Sequence, residues 1–263
     1  MPGLRDFASS AAIIVSSCDA FFDAWKPFAE FFAHFWGDCP LEIFLLTNRL
    51  AVRSQKIQPL ALGEDQGWSS NLLAALAQVP HAYVLYFQED YFLTDFVRQE
   101  QLAEDFSYVM ESKADSLCFR ARTGFEEGFR PLNDRFGSVP LSSDGRTRCQ
   151  VTLWKKSALQ SILRAGETAW DFEARGSART QEMQILSYLR RDRTPIPYLM
   201  SAISRGFWMP EAIALCREHA IAIDPFFRPV FPQRKWQKGL RRALGRAAGQ
   251  RAFRRQLADQ IEL

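Results

Sequence analysis

The stretch YVLYFQEDYFL, residues 83–93, sets two adjacent carboxylates, Glu89 and Asp90, behind the amide of Gln88 in an otherwise apolar, aromatic run. Such a run reads as a buried strand, where a polar group without a partner costs roughly 2–7 kcal/mol and a charge costs more. A basic side chain, a metal ion or emergence into a site would each reconcile the carboxylates with that position. Paired carboxylates with no evident Lys or Arg neighbour suit a hard divalent cation, Mg²⁺ or Mn²⁺, which takes oxygen ligands and usually shares its shell with substrate phosphates. The plainer alternative is that Glu89 or Asp90 caps the next segment or pairs with a distant Arg. A second acidic group lies in ETAWDFEARGS, where Asp171 and Glu173 flank Phe172 ahead of Arg175-Gly176-Ser177. Here the plainer alternative is a solvated acidic turn. A third polar group is Ser16-Ser17-Cys18-Asp19, in which Asp19 either accepts from a ligand or N-caps the segment starting at Ala20.

The elements around these groups follow from hydrophobic spacing. AAIIVSS (11–17) and LEIFLLTN (41–48) read as buried strands, and DAFFDAWKPFAEFFAHFW repeats aromatic residues at helical spacing. Pro27 sits in the first turns of that helix or kinks it. GWSSNLLAALAQV reads as a helix capped by Ser69 or Ser70 and ending before Pro80. Strand–helix–strand–helix–strand is the pattern of a doubly wound α/β sheet, in which ligands gather at the carboxyl ends of the strands. The polar segments Ser16-Ser17-Cys18-Asp19, Thr47-Asn48 and Gln88-Glu89-Asp90 fall at such ends. Beyond them the pattern predicts a helix over 95–112, a strand in 114–121, a loop-rich segment over 122–148, and a strand leading into a helix over 150–166. A helix over TQEMQILSYLRR, a strand pair in 194–208 and a last helix at PEAIALCREHAI complete the reading.

Composition narrows the class. The 263 residues, 47% hydrophobic and 24% charged, fit one large domain with a small appendage, and 22 Phe with 7 Trp predict a ring-rich core. No apolar run is long enough to span a membrane, and the first residues read as a strand and not as a signal peptide. Five cysteines without CxxC spacing argue for a reducing cytoplasm and against structural zinc. His34, His81 and His219 are isolated, and Cys18 has no His partner in sequence. Gly124, Gly128 and Gly137 do not form a phosphate-cradling GxGxxG.

The order of SSCDAFFDAWKPF, LEIFLLTN, GWSSNLLAAL, YVLYFQEDYFL, QVTLW, TAWDFE and SRGFW resembles bacterial glycosyltransferases of the nucleotide-sugar (GT-A) type. More narrowly, it resembles a group found among polysaccharide and lipopolysaccharide assembly enzymes. The resemblance covers roughly residues 11–224 and implies a GT-A-like, Rossmann-like mixed and mostly parallel sheet flanked by helices. It also implies a nucleotide-sugar donor, a saccharide or lipid-linked acceptor, and Mn²⁺ or Mg²⁺ at a DxD motif. Asp90 matches the last acidic position of that motif as the metal residue, while Gln88 stands where the first Asp is usual. Ser16, Ser17 and Asp19 would meet the nucleoside, Trp68 would lie against the nucleotide or merely pack, and Gln88 and Glu89 would face the donor. The WxxE spacing favours Glu173 as the base that takes the acceptor hydroxyl proton, with Asp171 in reserve. Arg205 would neutralise the diphosphate or form a structural ion pair. A nucleotidyltransferase would carry a Gly-rich basic loop after its first strand, and SSCDAFFDAW supplies neither feature. A catalytically inert relative that binds or assembles remains the alternative.

Charge divides the chain. Residues 226–263 hold ten Lys and Arg against Asp259 and Glu262, a net +8, which leaves −5 for residues 1–225. We therefore read a transferase domain over 1–225 and a basic helical tail over 226–263. Trp236, Leu240, Leu244, Ala247 and Ala248 can share one stripe of a helix with cations around it. That makeup predicts attachment of residues 234–255 to an anionic membrane surface, at the inner face of the cell membrane. No basic groove elsewhere speaks for nucleic acid.

Overall fold

The computed structural model describes residues 2–121, 128–224, 227–232, 253, 256 and 260–263. Its centre is a nine-stranded mixed sheet. In chain order the strands are β1 (Ala11–Ser16), β2 (Ile43–Thr47), β3 (Val52–Arg53), β4 (Ile57–Ala61), β5 (Tyr83–Gln88), β6 (Ser116–Cys118), β7 (Arg130–Pro131), β8 (Phe136–Ser138), β9 (Thr152–Lys155) and β10 (Ile185–Tyr188). The spatial order is β4-β2-β1-β5-β9-β6-β10-β8-β7, with β3 outside this sheet. From β4 to β5 every pairing is parallel, while β9 runs antiparallel between β5 and β6.

Side-chain alternation sorts the core into two layers. Ile13, Val15, Leu85 and Phe87 face one way, against α1 (Phe22–Trp36) and α3 (Gln99–Ser112). Ala12, Ile14, Val84 and Tyr86 face the other way, against α2 (Trp68–Gln78) and α4 (Lys156–Ile162). Strands covered on both faces must be apolar throughout, which is why β1 and β2 read as continuous runs. The aromatic ridge of α1 meets the sheet ring to ring, Phe28 and Phe32 each lying about edge-on to Phe87 at 6.3 and 6.4 Å. Pro27 lies inside α1 and is buried.

Chain direction fixes where a ligand can sit. After β1 the chain steps outward to β2 and β4, then returns through α2 to β5 on the opposite side of β1. The strand order therefore reverses between β1 and β5, and the crevice beyond their carboxyl ends is the position where open α/β sheets bind ligands. Because β9 is antiparallel, the chain enters it at that same end. Residues 149–150, just ahead of β9, consequently border the ends of β1 and β5.

Several expectations are corrected. TQEMQILSYLRR is not a helix: Ile185–Tyr188 is β10, buried on both faces between β6 and β8. Conversely, Ala169–Arg175 is a helix, α5, and not a solvated acidic turn. The N-cap of α2 is Gly67, in a left-handed conformation at φ +86°, and not Ser69 or Ser70. The Ser70 hydroxyl instead accepts the Gly166 N–H. The loop-rich stretch carries β7 and β8. The expected strand pair is a hairpin of β11 (Ile203–Ser204) and β12 (Phe207–Trp208), followed by α6 (Pro210–Glu218). Among the described residues no helix is long and apolar enough to cross a membrane.

Across the 225/226 boundary the chain is joined to the body. The Trp208 N–H donates to Pro229 O, and the Phe231 N–H donates to Trp208 O. At the far end β13 (Ile261–Glu262) pairs with β3. The basic stripe from Arg234 to Arg255 lies outside the described residues.

Candidate functional site

Asp19 is the hinge between the first two strand ends. Its carboxylate accepts the N–H groups of Asn48, Arg49 and Leu50 at 2.8, 2.7 and 3.0 Å, while its own N–H donates to Asn48 Oδ1 at 3.1 Å. The N-cap of the short 3₁₀ turn that leads into α1 is Cys18, so Asp19 does not cap. A buried carboxylate engaged by three backbone donors holds the loops after β1 and β2 together. Both oxygens of Asp19, which the resemblance sets against the nucleoside, are thus engaged by backbone donors.

The carboxylate pair lies one strand over. Glu89 and Asp90 are each 6% exposed. Asp90 Oδ2 accepts the Ile203 N–H and the Ser201 hydroxyl, both at 3.1 Å, and Asp90 O accepts the Ala202 N–H at 2.9 Å. Asp90 thereby ties the end of β5 to the β11–β12 hairpin, whose tip is Arg205-Gly206 with both φ angles positive (53° and 82°). Two positive-φ residues make the tight turn that matches strand twist, and here it presents Arg205 at the surface. Burial pushes the Asp90 carboxyl up to about 6, against the pull of Ile203 and Ser201. Burial, and then the neighbouring Asp90 charge, pushes Glu89 well above the usual carboxylate range, although the Ser17 hydroxyl bonds it. Burial, with Asp65, Glu89 and Asp19 close by, also raises the Cys18 thiol to about 12, so it is no thiolate nucleophile.

A cation faces this acidic corner from a place that the sequence does not reveal. Arg228, 8% exposed, donates from Nε and Nη2 to both oxygens of Asp23 at 2.8 Å, and from Nη2 to Ala20 O at 2.8 Å. Its guanidinium lies over the Phe21 ring, 4.9 Å from the centroid. The same charge lowers the proton affinity of both Glu89 and Asp90, without cancelling the effect of burial.

On the other face of the sheet, Tyr86 is a hub. Its hydroxyl accepts from Trp68 Nε1 at 3.1 Å and from Gln88 Nε2 at 2.9 Å, and also bonds the Ser16 hydroxyl. Ser16 and Gln88 are register partners across β1 and β5. The Cys149 thiol lies against the same hydroxyl, and its backbone N–H donates to Glu173 Oε1 at 2.7 Å. Trp68 also packs on Phe172 of α5, with ring centroids 5.3 Å apart. So Ser16, Trp68, Gln88 and Glu173, scattered over 158 positions of sequence, are linked through Tyr86 and Cys149.

Asp171 belongs elsewhere. With Thr168 it forms a reciprocal capping box at the N-terminus of α5: the Thr168 hydroxyl accepts the Asp171 N–H, and the carboxylate accepts the Thr168 N–H and hydroxyl. Those bonds hold its carboxyl below the usual range. It faces solvent beside Arg175 at 3.4 Å, one helical turn on.

Among the described residues no three His, Cys, Asp or Glu side chains gather as a ready-made metal cage. The donor set nonetheless fits one hard cation shared with a ligand. Two buried carboxylates whose proton affinity is raised are sites that a divalent ion would hold ionised, and the ligand's own oxygens would fill the rest of the shell.

No protein-family model matches the sequence, and no curated protein matches it. Solved structures with a similar chain course include residues 1–349 of S. aureus TarS, at 12% identity and a TM-score of 0.48 over 72% of this chain and 59% of that one. The same TarS fragment in complex with UDP-GlcNAc matches at 13% identity and 0.45, over 72% and 57%. UDP-glucose pyrophosphorylase complexed with UDP-glucose matches at 8% identity and 0.47, over 69% and 90%. This chain therefore spans less than two thirds of the TarS fragment. Likeness at this level says nothing of the chemistry of the present chain.

Proposed function

We propose that this protein is a GT-A-type glycosyltransferase, moving a sugar from a nucleotide-sugar donor to a saccharide or lipid-linked acceptor in surface-polysaccharide assembly. The observation that carries the reading is that two acidic groups are tied to the end of β5, one directly and one through a chain of contacts. Glu89 and Asp90 stand at the end of β5, and Glu173 reaches the same strand end through Cys149 and Tyr86. The sequence motifs in their order, with Asp90 at the last position of a DxD-like element, support the same reading.

In this mechanism the donor diphosphate lies over the ends of β1 and β5, beside Ser16, Ser17 and Gln88. An anionic diphosphate next to two buried carboxylates needs an intervening cation, and Asp90, with Glu89 next to it, would hold Mn²⁺ or Mg²⁺. Bound there, the ion supplies Lewis-acid stabilisation of the charge that develops on the leaving group. Glu173 is fixed by its Oε1 on the Cys149 N–H, so Oε2 is the oxygen that takes the acceptor proton. The acceptor oxygen forms a bond to the anomeric carbon as the bond to the phosphate oxygen breaks. The nucleoside diphosphate leaves with that electron pair, and Glu173 keeps the proton. Arg205, at the tip of the hairpin that Asp90 holds, would neutralise the phosphates in this reading.

Gln88 in place of a carboxylate favours a second reading, a donor-binding protein without turnover. Incubation with UDP-, GDP- and dTDP-sugars, with and without Mn²⁺, tests both. Release of free sugar from one of them supports the transferase. Binding without release supports the inert relative, and neither binding nor release rejects both.

A further inference from the structure

Trp170 is 78% exposed, more than any other large hydrophobic side chain among the described residues. Single exposed apolar residues are ordinary on a protein surface. Two observations set this one apart. Its helix is anchored along its length, yet the indole is bare. The Thr168–Asp171 box fixes the start of α5, and Phe172 is buried against Trp68. The Thr147 hydroxyl donates to Phe172 O at 3.0 Å. At Gly176 a Cβ would come within 2.5 Å of Thr147 Oγ1, so the backbone lies directly on that side chain. The second observation is position. At 3.6 residues per turn, Trp170 and Glu173 are about 60° apart around the helix. The buried face runs through Ala169, Phe172 and Gly176; Glu173 occupies its rim and Trp170 the next place outward.

We infer that Trp170 is a stacking platform for a sugar ring of the acceptor. The inference rests on the proposed role of Glu173, because an acceptor whose hydroxyl reaches that carboxylate must extend its remaining rings outward past the neighbouring position. The face of an indole is the negative side of its quadrupole, and the C–H edges of a pyranose are weakly positive and apolar. A ring pressed flat on the indole keeps its hydroxyls in water. Because the backbone of α5 is already fixed, little backbone freedom is lost on stacking.

The test uses the full-length protein labelled with 5-fluorotryptophan, with the Trp170 resonance assigned by its loss in Trp170→Phe. The probes are the methyl glycosides of glucose, galactose, mannose, rhamnose and N-acetylglucosamine, the corresponding tetrasaccharides where they exist, and neutral phosphatidylcholine vesicles. The expected result is saturable movement of the Trp170 resonance with at least one saccharide and none with vesicles. Trp170→Ala should then weaken that saccharide about tenfold, as loss of an aromatic contact does, while Trp170→Phe retains most of the affinity. A resonance that no saccharide moves, one that moves only with vesicles, or equal saccharide affinity in Trp170→Ala each overturns the inference. Donor-sugar hydrolysis separates this from the underlying reading. Intact hydrolysis without saccharide binding at Trp170 sinks the platform alone, and Trp170-dependent saccharide binding without any hydrolysis sinks the transferase alone.

Discussion

Replacing Asp90 by Asn should make this protein more stable at neutral pH while abolishing its proposed metal-dependent ligand binding. The carboxyl is buried and its pKa is raised from 3.8 to about 6, burial outweighing the donors at Ile203 and Ser201. A carboxyl with a raised folded-state pKa holds its proton more tightly in the folded chain than in the unfolded one. Its contribution to stability is complete below about pH 4 and is lost as pH rises through about 6. At roughly 1.4 kcal/mol for each tenfold change in proton affinity, the ionised side chain destabilises the native state by about 3 kcal/mol above that range. Asparagine has the same shape, keeps an oxygen for Ile203 and Ser201, and carries no charge. Urea denaturation followed by tryptophan fluorescence should show Asp90→Asn more stable than the wild type by about 2–3 kcal/mol near pH 7.5, and by less than about 1 kcal/mol near pH 4.5. A variant less stable than the wild type by the same amount at both pH values would refute the reasoning. It would mean that the bonds to Ile203 and Ser201 need the charge and outweigh its burial.

The other expectations follow from the same contacts. Glu173→Gln keeps an acceptor for the Cys149 N–H, so it should fold and bind donor normally while turnover falls by about 10²–10⁴, read as kcat against donor Kd. Asp171→Asn should leave turnover within a few-fold, because the carboxylate caps α5 in solvent; a collapse comparable to that of Glu173→Gln would transfer the base role to it. Arg228→Met strands the buried Asp23 carboxylate and should cost about 3–5 kcal/mol by denaturant titration, with Arg228→Lys recovering little because the paired contacts to Asp23 need the guanidinium fork. Mn²⁺ should raise the melting temperature of the wild type at neutral pH and leave that of Asp90→Asn unchanged; an equal rise in both would move the ion elsewhere.

What the sequence disclosed is what local pattern encodes. The continuous apolar runs of β1, β2 and β5 and the aromatic spacing of α1 announce their elements, and the strand-end position of Gln88-Glu89-Asp90 follows from them. β10 carries a weak local signal because ILSY is only four residues long and lies among polar residues at helix-compatible spacing; its burial comes from β6 and β8, distant in sequence. Asp19 points at a nucleoside by analogy alone, and its partners at 48–50 exist only once β2 lies beside β1. Arg228 meets Asp23 from 205 positions away and carries no local signature at all. Asp171 differs, since Thr168-x-x-Asp171 is a capping box legible in the sequence, and it separates Asp171 from Glu173. Tyr86 reads as one more strand aromatic, and only the convergence of Trp68, Gln88, Ser16 and Cys149 on its hydroxyl marks it as the centre of the site.

A crystal structure with the nucleotide sugar that the protein hydrolyses most readily, grown with Mn²⁺, tests the central claim most directly. The account predicts the diphosphate beyond the carboxyl ends of β1 and β5, with Mn²⁺ on Asp90 and the anomeric carbon on the side of Glu173. A donor bound away from the β1/β5 crevice, or one seated there with Glu173 on the opposite side from the anomeric carbon, would contradict it.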